Sequence, residues 1–575
     1  MTDSWHGSHA PTRTWRGGPW ALELRDDELA DLTYDGRRVL RSIRAVVRDR
    51  DWNTAAWVIE QITETGAALE LLVHTEGYGA ELRGTVRVDA TPELLVVSFD
   101  AVSTTPFLTN RTGLVVLHPP RLAGRPLTVT HSDASVEASA FPTAVSPDQP
   151  ALDIAGLRWV DDGLAIDVQF TGDVFEMEDQ RNWTDASYKT YSRPLSLPFP
   201  YPLGPGEHVR QAIAVRVRQL AAPAAEPDPD RLELTDAGVA FPHLVVGAPT
   251  APDPAPVLAP AAPTLLVELD LAVPSRHAAL ARAAASGRPL DIRLVLDPEN
   301  PAAVDEIVGA LPGLPVVRIA AFDPVTHVTD ADVATALHDA TARAGLDVPI
   351  VGGSRAHFTE LNRERARIAP GLAGLVFSTT PLFHSLTTEQ LVEALAVQRT
   401  VAEQAVSLAG GVPVHVGPVT LRPRFNDVAT VRPPVPADTD LARGYGPQFA
   451  EADDERQDAP QLAAWTVASA AALAVPGIAS IAYFEEWGPR GLVRADGTDR
   501  PIAAAVRALA ALTGARLLSA PSRDGLVWAI GADGPAGTTV LIANLGTTAR
   551  EVTVLVEGRE HPASVPAEGW VALTI

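Results

Sequence analysis

Short apolar runs separated by turn residues dominate the first 220 positions. Leu69–His74, Leu94–Phe99, Leu114–Leu117, Leu164–Phe170 and Ala212–Val217 alternate or cluster apolar side chains over strand lengths, and helical periodicity is scarce among them. That spacing predicts a sandwich of many strands. Two Pro/Ala-rich stretches follow, Ala221–Asp230 and Ala251–Thr264, which read as extended connectors with a few apolar residues near Leu244 between them. After Thr264 the pattern becomes strand then helix. Candidate strands are Leu265–Leu271, Ile292–Leu296, Val316–Ala320, Pro349–Gly353, Leu375–Ser378, Val414–Val416 and Ile478–Phe484. Between several of them lie Ala-rich helical segments, His277–Ala285, Asp332–Ala344, Thr388–Leu408 and Ala459–Ala474. Repeated βα units over this length predict a TIM barrel, with the eighth strand in Arg422–Glu455 or near Leu244. The last 60 or so positions return to strand patterns at Val527–Ile530, Thr539–Ala543, Val552–Val556 and Trp570–Leu573.

The expected fold class is therefore multidomain, α/β and β. Residues 1–250 form an N-terminal β-sandwich with its Pro-rich linker, 251–515 a central TIM (β/α)8 barrel, and 516–575 a C-terminal β-sandwich. A chain of 575 residues is too long for one core, and its 50 prolines fit the many turns and linkers.

Composition narrows the chemistry. A formal charge of −25 argues against nucleic acid or an anionic membrane surface as partner. With no cysteine there is no disulfide, thiolate metal site or Cys nucleophile. The first residues lack a basic and then apolar leader, and no apolar run is long enough to span a bilayer, so a cytoplasmic protein is expected. No Gly-x-Ser-x-Gly elbow, His-Glu-x-x-His pair or Gly-rich phosphate loop is present. The expectation is no cofactor and no metal site, with hydrolysis by carboxylate-activated water.

One segment stands apart. Phe175–Tyr191 holds Lys189, the only lysine of the chain, and Met177, the only methionine after the initiator. The other 45 of the 46 basic residues are arginine. A lysine that persists in such a background marks a site suited to a compact ammonium rather than a planar guanidinium. On a strand, Phe175 and Met177 would face one side and Glu176 and Glu178 the other. Two like charges on one face need cations between them, and Arg181 and Lys189 are at hand. In the barrel, residues that follow strands are the first catalytic candidates: Arg355, His357, Glu360 and Asn362 after Pro349–Gly353, and Glu485 and Glu486 after the last strand. Phe322-Asp323, His384, Arg424 to Asn426 and Arg456-Gln457 hold similar positions. Glu360 and Glu485 form the preferred acid and base pair. The bland alternative is a helix cap or surface charge for each carboxylate, and a charge network joining sandwich to barrel for the 175–191 segment.

Phe175–Leu195 resembles a motif of the bacterial D-apionate lactonase family. So do Val47–Thr54, Asn110–Gly113, Leu117–Pro119, Phe141-Pro142 and Ser146–Pro150, and, in the barrel, Phe358–Arg363, Arg456-Gln457 and Tyr483–Glu485. The resemblance implies an N-terminal β domain, a TIM barrel and a C-terminal β domain, and hydrolysis of D-apionolactone to D-apionate in apiose catabolism. The partner is then a small sugar lactone. Glu360 or Glu485 would activate water, and Arg355, His357 or Lys189 would hold the oxyanion. Trp183, Asn182, Asn362 and Glu178 would meet the sugar hydroxyls. The rival readings are a glycoside hydrolase using two Glu at strand ends and a non-catalytic saccharide-binding protein.

Overall fold

A computed structural model describes residues 4–6, 12–222, 228–425, 444, 452–535 and 537–575. Strands from Arg13 to Gln219 join in one 18-stranded hydrogen-bonded network. Period-2 patterning explains it. In Leu94–Ser103 buried and half-buried positions alternate without a break, sending Leu95, Val97, Phe99 and Ala101 inward. Their partners across the core include Trp20, Trp57, Phe141, Trp159 and Phe175. Each such side chain contributes about 1.5–3 kcal/mol of transfer free energy.

Eight parallel strands build the central part: His243–Gly247, Thr264–Asp270, Leu290–Val295, Val316–Phe322, Gly352–Gly353, Leu375–Thr379, Val414–Val419 and Ile478–Trp487. The first pairs with both the second and the eighth, and a bridge from Ile319 to Ile350 joins the fourth to the fifth. The fifth strand is short because neighbours crowd it. A Cβ on Gly353 would lie 2.4 Å from the Val376 carbonyl oxygen. Helices follow the later strands: α1 (Arg276–Ala285), α2 (Ala303–Gly309), α3 (Ala331–Ala344), α4 (Phe358–Arg363), α5 (Thr388–Ala409), α6 (Gln461–Leu473) and α7 (Pro501–Ala510).

Two expectations change. The strand missing from the seven read in sequence is the one at Leu244, one of the two places expected for it but within the region assigned to the N-terminal domain; the rival region, 422–455, lies largely outside the described residues. The Pro/Ala-rich stretch 251–264 is therefore not a linker between domains. It connects the first two barrel strands with no helix among its residues, as its proline density dictates. The segment Arg231–Ala240, also assigned to the N-terminal domain, enters the C-terminal sheet. There it runs parallel to Arg550–Val556 and antiparallel to Arg516–Ser519. One face of that seven-stranded sheet carries Trp528, Ile530, Leu541 and Ala543 into the barrel's core cluster.

The barrel interior is ionic as well as apolar. Asp291 accepts from Arg293 at 2.7 and 3.0 Å and from Arg318 at 2.7 Å. Arg318 also donates to Ser480, which bonds His415. Burial works to raise the Asp291 carboxyl, and the two guanidiniums overcome it and hold it well below the usual range. No helix among the described residues is long and apolar enough to cross a membrane.

Candidate active site at the barrel mouth

The second barrel strand sets the cleft. Leu265, Val267 and Leu269 pack outward, Leu266 faces the interior with Val245 and Ala482, and Glu268 shares that inner side by period 2. Its carboxylate accepts from Arg355 Nη2 at 2.9 Å and Arg424 Nη1 at 2.7 Å. Burial works to raise Glu268, but the two arginines outweigh it and hold the carboxyl at about 2. Both guanidiniums lie over the Phe425 ring, 4.2 and 5.4 Å from its centroid. Glu485, near the end of the eighth strand, accepts from Thr250 N–H at 3.0 Å, Thr250 Oγ1 at 3.1 Å and Arg490 Nε at 2.9 Å. Gly247, Thr250, Glu268, Gln457, Glu485 and Arg490 line a narrow cleft of about 70 Å³ that is continuous with solvent.

Segment 175–191 packs against strand-end residues of the barrel. Phe175 and Met177 enter the N-terminal core. Glu176 turns the other way and accepts from the Tyr191 hydroxyl at 2.5 Å and Leu195 N–H at 2.7 Å. Glu178, also on that side, meets Lys189 Nζ at 2.5 Å, Arg363 Nη2 at 3.1 Å and Trp183 Nε1 at 3.3 Å. Burial works to raise Glu178, yet Lys189 and Arg363 hold it well below the carboxylate range. A turn of 3-10 helix, Gln180–Trp183, then carries Trp183 against the barrel. Its indole stacks on Phe383, with centroids 4.5 Å apart, and meets the His357 and His384 rings edge-on. Thr184 Oγ1 lies 3.0 Å from Thr379 Oγ1 at the end of the sixth strand. Asp185 Oδ2 lies 2.6 Å from His384 Nδ1, and its other oxygen accepts from Gln390 Nε2 at 3.0 Å. Gln390 in turn accepts from Arg41 Nη2 at 2.9 Å.

The structure thus gathers most of the singled-out residues at one face of the barrel, in different roles. Glu485 borders the cleft, and Arg355 is tied to it through the cleft-lining Glu268. Glu178, Lys189 and Trp183 form the charged and aromatic junction beside it. Asn182 and Asn362 do not present free amides to a sugar. Asn182 Nδ2 donates to the Ser146 and Asp179 carbonyls, and Asn362 Nδ2 donates to Asn182 Oδ1 and the Val145 carbonyl. Both are buried, so their polar atoms are committed to joining the segment to α4. Glu360 is not paired with Glu485. It sits in the first turn of α4, where its carboxylate accepts the His357 N–H at 2.8 Å as a helix cap. Burial pushes it up to about 7. His357 is buried, and desolvation first, then the charge of Arg424, lowers it to about 3. Glu486 points elsewhere, to Arg288 at 2.6 Å. Asn426 lies outside the described residues. Among the described residues no three His, Asp or Glu side chains converge as a metal-binding group.

Sequence reasoning passed over Glu268, and counted Asp185 only among the polar residues of the 175–191 segment suited to a polyhydroxylated ligand. Glu268 had a signal, a lone carboxylate at an inward position of an otherwise apolar strand. Asp185 lay in the singled-out segment, but its pairing with His384 had no signal, since that partner lies 199 positions away.

Comparison with known proteins fits this arrangement. Residues 2–220 match the D-apionate lactonase N-terminal domain, and residues 247–514 match the D-apionate lactonase TIM barrel domain. A D-apionate lactonase of Brucella anthropi is 26% identical over 547 residues, covering 87% of each chain. Among solved structures, SrfJ from Salmonella typhimurium aligns with 62% of this chain and 95% of its own at 11% identity and a TM-score of 0.40. A galactose mutarotase related enzyme from Lactobacillus acidophilus aligns with 37% of this chain and 100% of its own at 11% identity and a TM-score of 0.25. The two domain matches lie in chain order on either side of the junction and together take in most of the sequence: the chain belongs to the D-apionate lactonase family.

Proposed function

We propose that this protein hydrolyses D-apionolactone to D-apionate, a cytoplasmic step in catabolism of the branched pentose apiose. Its three parts read as an N-terminal β-sandwich, a (β/α)8-type barrel that takes in the strand from His243, and a C-terminal β-sandwich that takes in Arg231–Ala240. Water attacks the lactone carbonyl, negative charge gathers on the carbonyl oxygen, and collapse breaks the ring C–O bond to leave a carboxylate. Such a reaction needs donors already fixed where the charge develops. The observation that carries the reading is the cleft itself. At the C-terminal ends of parallel strands, Arg355 and Arg424 are held rigid by one buried carboxylate, Glu268, and by the Phe425 ring.

Both cleft carboxylates are already engaged by the protein. Glu268 is held at about 2 by its arginines, and Glu485 is engaged by both donors of Thr250 and by Arg490. We assign Glu485 to shaping the cleft and binding substrate hydroxyls.

Proton release on adding D-apionolactone, followed in a pH-stat, tests the function. Turnover is expected, with Arg355→Gln lowering kcat/KM by about 100-fold. An aryl glycoside cleaved by the parent, with no aldonolactone opened, would replace this reading by the glycosidase one.

A further inference from the structure

We infer that the water-activating base is His384, oriented by Asp185 from the N-terminal domain, so that the catalytic centre is assembled across the domain junction. This rests on the lactonase reading above. His384 follows the sixth barrel strand, where catalytic groups of such barrels sit. Its Nδ1 lies 2.6 Å from Asp185 Oδ2. A carboxylate at that distance takes the Nδ1 proton as its hydrogen bond and leaves Nε2 with its lone pair. No described residue hydrogen-bonds to Nε2, and the side chain keeps 14% exposure. The carboxylate is itself fixed by Gln390, and Gln390 by Arg41, so the pair has the third orienting group that activated acid and base sites share.

The surroundings suit the reaction. The charged and titratable groups around the imidazole are Asp185, Lys189, Arg48, Glu178 and, on the barrel side, His357. Desolvation is the largest influence and lowers the imidazolium, Asp185 raises it, and Lys189 and Arg48 lower it, so the neutral form is present at neutral pH. The two cations add positive potential beside the imidazole and so favour its neutral form. Trp183, stacked on Phe383 and covered by the Arg363 guanidinium 5.6 Å from its centroid, packs edge-on against the His384 ring and helps to hold it in place.

The step balances without a further reagent. His384 Nε2 takes a proton from water as the water oxygen bonds to the carbonyl carbon. The carbonyl π pair moves to oxygen and returns as the ring C–O bond breaks. The imidazolium then gives its proton to the departing ring oxygen, and the new carboxylic acid ionises to solvent.

The test compares the full-length parent, His384→Ala, His384→Gln and Asp185→Asn on D-apionolactone, with folding checked by near-ultraviolet circular dichroism. The parent should turn over, and both His384 variants should lose 10²–10⁴-fold in kcat. Added imidazole should restore part of the rate to His384→Ala but not to His384→Gln. Asp185→Asn should lower kcat and move the acid limb of its kcat/KM profile to lower pH, because the group that raises the imidazolium is gone. A purely structural histidine would give neither rescue nor a moved limb. Parental kcat in a folded His384→Ala, or a loss with no rescue and an unmoved limb in Asp185→Asn, would overturn the dyad while leaving the lactonase reading intact. A parent inert to every lactone would overturn both.

Discussion

Lys189 offers the sharpest probe of the junction. Its ammonium sits 2.5 Å from Glu178 and 4.9 Å from the centre of the Tyr191 ring, and both members of the ion pair are 13% exposed. Removing one partner of a buried pair costs about 3–5 kcal/mol, because the other charge is left without compensation. Here Arg363 still reaches Glu178 at 3.1 Å, so Lys189→Met should cost less, about 2–3 kcal/mol. Lys189→Arg keeps the charge but forces a longer, planar group into a filled site, at about 1–3 kcal/mol. Adding Glu178→Gln to Lys189→Met should recover a good part of the loss, giving a coupling energy above about 1 kcal/mol in the double-mutant cycle. The pH dependence has a fixed sign. The Glu178 carboxyl is depressed in the folded protein, so its contribution is present above the ordinary glutamate value of 4.5 and is lost as pH falls below it. Parent and Lys189→Met should therefore converge in acid. Urea titration followed by tryptophan fluorescence at pH 7.5 and near pH 4, analysed at the first transition, measures all of this. A Lys189→Met that unfolds with the parent at neutral pH, or variants whose effects merely add, would refute the ion-pair account.

Three further outcomes follow from the same contacts. Glu360→Gln should keep turnover within several-fold of the parent, since Gln serves in a capping box. It should also remove a pH slope: Glu360 is pushed up to about 7, so the stability tied to its protonated form is complete below pH 4.5 and fades, by up to about 3 kcal/mol, as pH rises through 7. Melting curves at pH 5 and 8 would show whether that slope disappears. Asp291→Asn should cost about 3–5 kcal/mol at neutral pH, because Arg293 and Arg318 lose the charge they share inside the barrel; denaturant midpoints near the parental value would contradict it. Asn182→Ala should cost about 1–3 kcal/mol by removing one of the two acceptors of Asn362 Nδ2 and the side-chain donor to the Ser146 carbonyl, with KM moving less than stability does.

Much of the layout was readable from periodicity because burial in this chain follows it. Leu94–Phe99, Ala212–Val217 and the helices at Thr388 and Asp332 lie where the alternation and the 3.6 repeat put them. The first barrel strand was obscured because a Pro-rich connector follows it instead of a helix, so it lacked the strand-then-helix signature. Arg231–Ala240 misled because neighbouring sequence does not determine which sheet a strand joins; its partners lie about 300 residues downstream. In the site, residue types were a better guide than roles. Glu360, Asn182 and Asn362 are polar and follow strands or mark the family motif, yet each spends its hydrogen bonds on the protein. Sequence shows what a side chain offers; only the fold shows what has already been taken.

The junction itself explains why the 175–191 segment is so densely polar. An apolar seam between sheet and barrel would bind the two parts while tolerating several rotations. Directional bonds do not: Thr359 to the Asn182 carbonyl at 2.8 Å, Asn362 to Asn182 Oδ1 at 2.9 Å, Thr184 to Thr379 at 3.0 Å, and Arg41 to Glu393 at 2.7 Å allow one register only. Each contributes about 1 kcal/mol net, but leaving any of them buried and unmade costs more. The register they enforce is the one that places Asp185 on His384. Lys189 is then explained without contact to the substrate. A compact cation that satisfies Glu178 from the strand beside it leaves Arg363 room to hold the same carboxylate from α4, and a second planar guanidinium would compete for that space.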